Sequence, residues 1–285
     1  MNIRLSILFY LIVLFCIFTL GKSNAQTNTL GSNIYTPILI EGISLKASGV
    51  YWVQDNYMYL LTAKHVLLDT ITDSLKNRFI TLTSHSGRDN SETCILELDL
   101  KSARLNRNMW SHKVRDIVIV RIAHDTLINN KIIPMYFPHV NVKIVPKSGE
   151  IIVAIAVTSF DSVIISNDAY VLGYPGSIGV PEVLQLDYSQ PLIKRGIVSG
   201  KNYKNRTIII DCPTYPGNSG SPVYEVDNNE LGRRSMRLIG IVSEYIPFKE
   251  TWKNTVFKYE NEERTNSGYS VVETVDLAIE LVKSN

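Results

Sequence analysis

The sequence predicts an all-β protein closed by one C-terminal α-helix. Three observations carry this. Short runs rich in Val, Ile, Leu and Tyr recur along the chain and are broken at close intervals by turn-forming residues, the pattern of a sandwich or a barrel. No long helical pattern competes with them before the C-terminus. A proline-bearing connector, about 134–150 with Pro134, Pro138 and Pro146, divides the chain in two.

Taken in order, residues 26–35 are polar and read as a loose N-terminal segment. Val50 to Val53 and Tyr57 to Leu61 are strands around the turn Gln54-Asp55-Asn56, whose residue types favour reversal. Phe79 to Thr83, Cys94 to Leu98 and Ile117 to Ile122 complete a first unit of about 36–133. Ile151 to Val157, Tyr170 to Leu172, Thr207 to Ile210 and Leu238 to Val242 belong to a second, about 151–268. At about 271–283, Val275, Ala278, Ile279 and Val282 share one face against Asp276, Glu280 and Lys283, so an amphipathic helix is expected there.

Composition bounds the function. With 285 residues and a net charge of only +2, the chain can bury a substantial core as one all-β unit or two small ones. Arg233, Arg234 and Arg237 follow the polar Asp227-Asn228-Asn229 turn and read as a solvated hairpin, so nucleic acid is not an expected partner. No His/Cys/Asp cluster has metal-ligand spacing, and neither a metal nor a cofactor is expected.

The N-terminus reads as a signal peptide over 1–25. Arg4 is followed by the apolar run Leu5 to Leu20, and Ser23-Asn24-Ala25 offers a small-residue cleavage site. An uncleaved anchor is the alternative, because the run is close to the minimum for crossing a bilayer. Phe15 ahead of Cys16 is too bulky for a lipidation site. The mature chain is therefore expected to be secreted or periplasmic, without stable membrane association after signal removal. Cys94 and Cys212 then remain, either paired in an oxidising compartment or simply buried.

Three segments hold the chemistry: Thr62-Ala63-Lys64-His65, Arg115-Asp116-Ile117-Val118 and Gly217-Asn218-Ser219-Gly220-Ser221-Pro222. A serine hydroxyl is a weak nucleophile at neutral pH and needs a base in hydrogen-bond reach, itself oriented by a third group. His65 is the candidate base, Asp116 the orienting carboxylate and Ser219 the nucleophile. Asp125, Asp161, Asp168 and Asp187 rival Asp116, which is preferred because the apolar run Ile117-Val118-Ile119-Val120 follows it and would bury it. Gly217 can take the positive φ of a tight turn, aiming its own N–H and that of Ser219 at one developing oxyanion. The last position of Gly217 to Ser221 breaks the G-x-S-x-G elbow. The order His, Asp, Ser and the strand-like Pro222 to Val226 also oppose an α/β-hydrolase.

These residues resemble the motifs of the chymotrypsin-like serine proteases, the trypsin superfamily. Leu61 to Val66 resembles the histidine motif, Asp116 to Val120 the aspartate strand and Gly217 to Pro222 the serine motif. Arg195 to Gly200 resembles a second-barrel strand, and Ile239 to Ser243 the strand that pairs with substrate. The details lean toward the bacterial HtrA-type and glutamyl-endopeptidase-type branches. The resemblance implies two packed six-stranded antiparallel β-barrels, with His65 and Asp116 on the first and Ser219 on the second. It implies an exported serine endopeptidase acting on protein or peptide substrates through an acyl-enzyme. A catalytically silent protease-fold binding module for peptides or proteins is the alternative.

Departures from the family pattern set further expectations. Asn218 stands where trypsins have an aspartate, so activation by ion pairing with a new N-terminus is not expected. Thr214, Val242, Ser243 and Tyr245 are the candidate substrate-binding residues. Val242 replaces the histidine of glutamyl endopeptidases, although Thr214 resembles another part of their pocket. Ser243 lies where the family often has a serine touching the catalytic aspartate. Tyr245 replaces a glycine of deep-pocket trypsins, implying a shallow pocket for small or medium apolar side chains with no acid at its base. No accessory domain fits after residue 285, so an HtrA-like chaperone assembly is not implied.

Overall fold

A computed structural model describes residues 36–86, 92–128, 131–145, 153–154, 156–176, 186–228 and 234–284. The expected signal peptide and the segment 26–35 lie outside them. Among the described residues no helix is long and apolar enough to cross a membrane.

Nine strands form the first sheet: β1 (Pro37–Gly42), β2 (Leu45–Gln54), β3 (Tyr57–Thr62), β4 (Phe79–Ser86), β5 (Glu92–Asp99), β6 (Met109–Ser111), β7 (Val118–Ile128), β8 (Lys131–Tyr136) and β9 (Val140–Ile144). Their order is β6-β7-β3-β2-β1-β4-β5-β9, with β8 on β7. Two short helices interrupt the strands, α1 (Lys64–Leu67) and α2 (Leu100–Leu105). The second half is a closed six-stranded barrel of β10 (Asp168–Gly173), β11 (Leu192–Asn202), β12 (Thr207–Asp211), β13 (Pro222–Asn228), β14 (Arg234–Asn254) and β15 (Tyr259–Thr274), in the order β10-β11-β12-β15-β14-β13. All named pairings are antiparallel, as expected for barrels built from consecutive short strands.

Side-chain alternation explains which faces pack. Cys94, Leu96 and Leu98 of β5 are buried while their neighbours are half-exposed, the signature of a strand with one face on a core. Ala169, Val171, Val198, Ile208, Ile210, Val223, Ile239, Val242 and Val272 fill the second barrel.

The first sheet has nine strands where six were expected, and the observed elements depart from the sequence expectation at further points. Most of the connector's described residues are strand, because β8 and β9 extend the first sheet to Ile144; Pro134 is accommodated in β8, which among the described residues pairs with β7 alone, where a missing N–H is tolerated. Ile151 to Val157 forms no continuous strand among its described residues: Ala154 bridges to Trp52 and Val157 to Leu238. The two bridges reach strands of different sheets, so the described residues do not follow one partner strand. The final helix, α3 (Val275–Lys283), starts later than expected, because Val271 and Val272 pair with Ile209 and Ile208 of β12. Its buried face is Val275, Leu277, Ala278 and Leu281, rotated from the expected one. Cys94 and Cys212 are both free and buried.

Candidate active site

His65 sits in α1, immediately after β3 ends at Thr62. Its backbone is fixed on both sides. The N–H donates to Asp116 Oδ1 at 2.9 Å, and the carbonyl accepts from Lys76 Nζ at 2.6 Å. The preceding Lys64 is nearly buried; its ammonium pairs with Asp73 at 3.0 Å and donates to the His112 carbonyl at 3.3 Å. Together these contacts tie α1 to the loops on either side of it.

Asp116 stands two residues ahead of β7, with buried Ile117 between. Its Oδ2 lies 2.8 Å from His65 Nδ1 and accepts from Ser243 Oγ at 2.6 Å. Ser243 can reach it because β14 shifts register against β15 between Val242 and Glu244, a bulge that re-aims a side chain. Burial pushes the Asp116 carboxyl up, but the His65 ring, the Ser243 hydroxyl and the His65 N–H together hold it below the usual carboxylate range.

A second carboxylate backs the first across the barrel interface. Glu273 of β15 takes Arg115 Nη2 at 2.5 Å and Nε at 3.3 Å, and its Oε1 lies 3.4 Å from the Asp116 N–H. Arg115 also donates to the Asn205 carbonyl. Behind that loop, His112 Nδ1 accepts the N–H groups of Val114 and Arg115 at 3.1 and 2.9 Å. The ring is therefore neutral with its proton on Nε2, and burial, with Arg115 nearby, lowers its pKa.

Ser219 lies in the turn between β12 and β13. Gly217 has φ +97°, and a Cβ there would fall 2.4 Å from Gly176 N and 2.6 Å from the Tyr174 carbonyl. Gly220 has φ +80° and would place a Cβ 2.1 Å from Thr62 Oγ1. Only glycine fits either position. Asn218 turns its side chain inward, Oδ1 accepting from Tyr215 N at 3.1 Å, and is 2 % exposed. Its amide thus braces the turn from within.

Ser48 of β2 pins this turn to the first sheet. Its N–H donates to the Ser219 carbonyl at 3.0 Å, its hydroxyl donates to the Gly217 carbonyl at 2.8 Å, and Tyr174 N donates back to that hydroxyl at 2.9 Å. The Pro216 carbonyl is held by Gly176 N, and the Gly217 N–H of the same trans peptide points the opposite way. Neither the Gly217 nor the Ser219 N–H donates to another group among the described residues.

The three sequence-predicted residues converge. Ser219 Oγ lies 2.8 Å from His65 Nε2. A carboxylate only accepts, so His65 Nδ1 carries the proton facing Asp116 and Nε2 offers its lone pair to the serine hydroxyl. This arrangement is able to draw a proton from an alcohol and hold the resulting imidazolium beside a carboxylate. Three of the four rival aspartates are engaged elsewhere: Asp168 with Arg195, Asp161 with Arg206, and Asp187 with Ser189. Of the other histidines, His85 and His139 meet the carbonyls of Ser189 and Arg121.

Beside the three residues runs an open cleft of about 690 Å³ whose walls include Tyr215, Pro216, Val242, Ser243 and Tyr245. Thr214 lines it too, but is 2 % exposed and shares a 2.8 Å hydrogen bond with Ser270 Oγ. Val242 is likewise almost covered, whereas Tyr215 and Tyr245 are each 39 % exposed. The floor is therefore shallow and the walls aromatic. Glu273 also reaches this cleft, tied to Arg115. Sequence reasoning missed Ser48, Lys76, Arg115 and Glu273. Only Arg115, adjoining Asp116, gave any local signal.

A family model described as the trypsin-like peptidase domain matches residues 47–232, well over half of the chain. No curated protein sequence matches significantly. Among solved structures, the HtrA-type protease AlgW with a tripeptide is similar over 90 % of this chain, at 17 % identity and a TM-score of 0.50; the chain spans 62 % of that protein's length. Deg5 is similar over 91 % of this chain and 92 % of its own, at 12 % identity and a TM-score of 0.49.

Proposed function

Because the chain belongs to the trypsin-like peptidase family, we propose that it is an exported serine endopeptidase in which His65, Asp116 and Ser219 act as base, orienting group and nucleophile. The observation that carries this is the unbroken line from Asp116 Oδ2 through the His65 ring to Ser219 Oγ, 2.8 Å at each link. Export rests on the N-terminal sequence alone.

Ser219 Oγ attacks the carbonyl carbon of a protein or peptide substrate while His65 Nε2 takes its proton. The carbonyl oxygen becomes an oxyanion and meets the N–H groups of Gly217 and Ser219. Each such donor contributes about 3 to 4 kcal/mol to transition-state stabilisation. The imidazolium, held by Asp116, gives its proton to the leaving amine as the C–N bond breaks, leaving an ester on Ser219. Water, activated by the same ring, hydrolyses that ester and restores the hydroxyl.

Ser243 is a positioning residue, since it touches Asp116 rather than substrate. Arg115 and Glu273 position the Asp116 loop from the second barrel. Tyr215 and Tyr245 over the nearly covered Thr214 and Val242 support a primary pocket for small or medium apolar side chains. Asn218, already braced inside its turn, supports an oxyanion site that forms without a freed N-terminus.

Replacing Ser219 by Ala separates this reading from a silent binding module. Hydrolysis of a casein or peptide-library substrate should fall on the order of a millionfold, as for a lost nucleophile in subtilisin. Unchanged hydrolysis, or a wild-type protein that binds peptides without cleaving them, would refute it.

A further inference from the structure

Past Tyr245, β14 and β15 continue as a two-stranded arm, paired from Pro247 with Asn266 out to Asn254 with Tyr259. One face of the arm is electrostatically closed. Lys249 pairs with Glu262 at 2.5 Å, Arg264 with Glu262 at 2.9 Å, and Lys253 with Glu260 at 3.3 Å. The other face, set by strand alternation, carries Phe248, Glu250 and Trp252 on β14 and Tyr259 and Glu263 on β15.

That second face is incomplete. Phe248, Trp252 and Tyr259 are 52 %, 59 % and 58 % exposed. Glu250 and Glu263 stand directly opposite each other in register, and neither carboxylate has an ion pair or hydrogen bond among the described residues. Like charges placed so weaken a strand pair, and an isolated two-stranded ribbon is marginally stable at best. A cation between the carboxylates would relieve the repulsion, and the rings beside it offer their negative faces to the same charge and their area to an apolar stem. A second copy of this face would instead bring four carboxylates together, and the same two carboxylates oppose an anionic bilayer on this face.

We propose that this face of the arm is an exosite for an arginine- or lysine-rich segment of the protein substrate. The inference rests on the endopeptidase reading. Along β14, Glu250 and Trp252 lie five and seven residues beyond Tyr245 of the cleft, roughly 17 and 23 Å of extended strand. A substrate running beside the arm would carry its basic residues about five to seven positions from the bond cleaved.

The test measures binding separately from turnover. Two fluorescent peptides share one cleavable core; one has an Arg/Lys extension about six residues away, the other a Ser/Gly extension. With the full chain bearing Ser219→Ala, fluorescence anisotropy at low salt should show the basic peptide binding about five- to tenfold more tightly. The advantage should vanish in Glu250→Gln/Glu263→Gln and in 1 M NaCl, where screening acts within about 3 Å. It should also shrink in Trp252→Ala. Cleavage of the unextended core by each variant on the Ser219 background reports that the barrels remain folded. Equal affinities, or a preference that survives the double substitution, would overturn the exosite. So would an arm that instead drives self-association or binds phosphatidylglycerol vesicles. Failure of the wild-type protein to cleave either peptide strikes the peptidase reading alone, because anisotropy uses the Ser219→Ala protein.

Discussion

Removing Glu273 tests the clamp across the two barrels. In Glu273→Ala, Arg115 loses both hydrogen bonds to the carboxylate and the Asp116 N–H loses its acceptor. Breaking a buried pair from one side costs about 3 to 5 kcal/mol. The Arg115 side chain is 19 % exposed and keeps the Asn205 carbonyl, so water relieves part of this and about 2 to 3 kcal/mol is expected. The loop carrying Asp116 also loses a fixed edge, and a shift of about 1 Å is enough to lower turnover on the order of a hundredfold. Urea unfolding gives the first quantity and kcat with a peptide substrate the second. In a cycle with Arg115→Met and the double variant, coupling of at least about 1.5 kcal/mol is expected, within the range for contacting groups. Additive single effects, or a Glu273→Ala protein with wild-type kcat, would refute the clamp.

Other perturbations act on neighbouring parts of the same machinery. Gly217→Ala forces a side chain onto φ +97° and against Gly176 N, so kcat should fall at least about a hundredfold with a lowered Tm; an active, fully stable variant would contradict the turn geometry. Ser48→Ala strands the Tyr174 N–H and the Gly217 carbonyl and should cost about 2 to 6 kcal/mol in urea unfolding, from about 1 to 3 per buried unpaired group. Because the folded Asp116 pKa is depressed, its contribution is fully present above the unfolded value of about 3.9 and lost as pH falls through the folded one. The stability difference between wild type and Asp116→Asn should therefore shrink below about pH 4, and parallel profiles would count against that. His112 also has a lowered folded pKa, so the unfolded chain binds the extra proton first. Its contribution should be complete above about pH 6.5 and decline below it, a slope that His112→Asn would lack in urea titrations.

The three hydrogen-bonded residues were legible because each sits in a locally distinctive stretch: His65 after an apolar strand, Asp116 before a buried one, and Ser219 between two glycines. Ser243 was legible for the same reason, lying in a recognisable strand. Ser48, Lys76 and Glu273 were not, because their importance exists only across the folded interface. Arg115 and Glu273 are 158 residues apart in sequence. The second barrel followed from its β-branched runs, whereas the prolines of 134–150 concealed β8 and β9, since an edge strand tolerates Pro134. The arm beyond Tyr245 was hidden by its charges. Lys249, Glu250, Lys253, Glu260, Glu262, Glu263 and Arg264 break any apolar alternation, because the arm has no core on either side.

The most direct test of the account is intact-mass analysis after treating the protein with a fluorophosphonate at neutral pH. One adduct should form, mapping to Ser219, absent in Ser219→Ala and slowed by orders of magnitude in His65→Ala. A serine that stays unmodified, or one that reacts equally fast without the imidazole, would contradict the claim that His65 activates it.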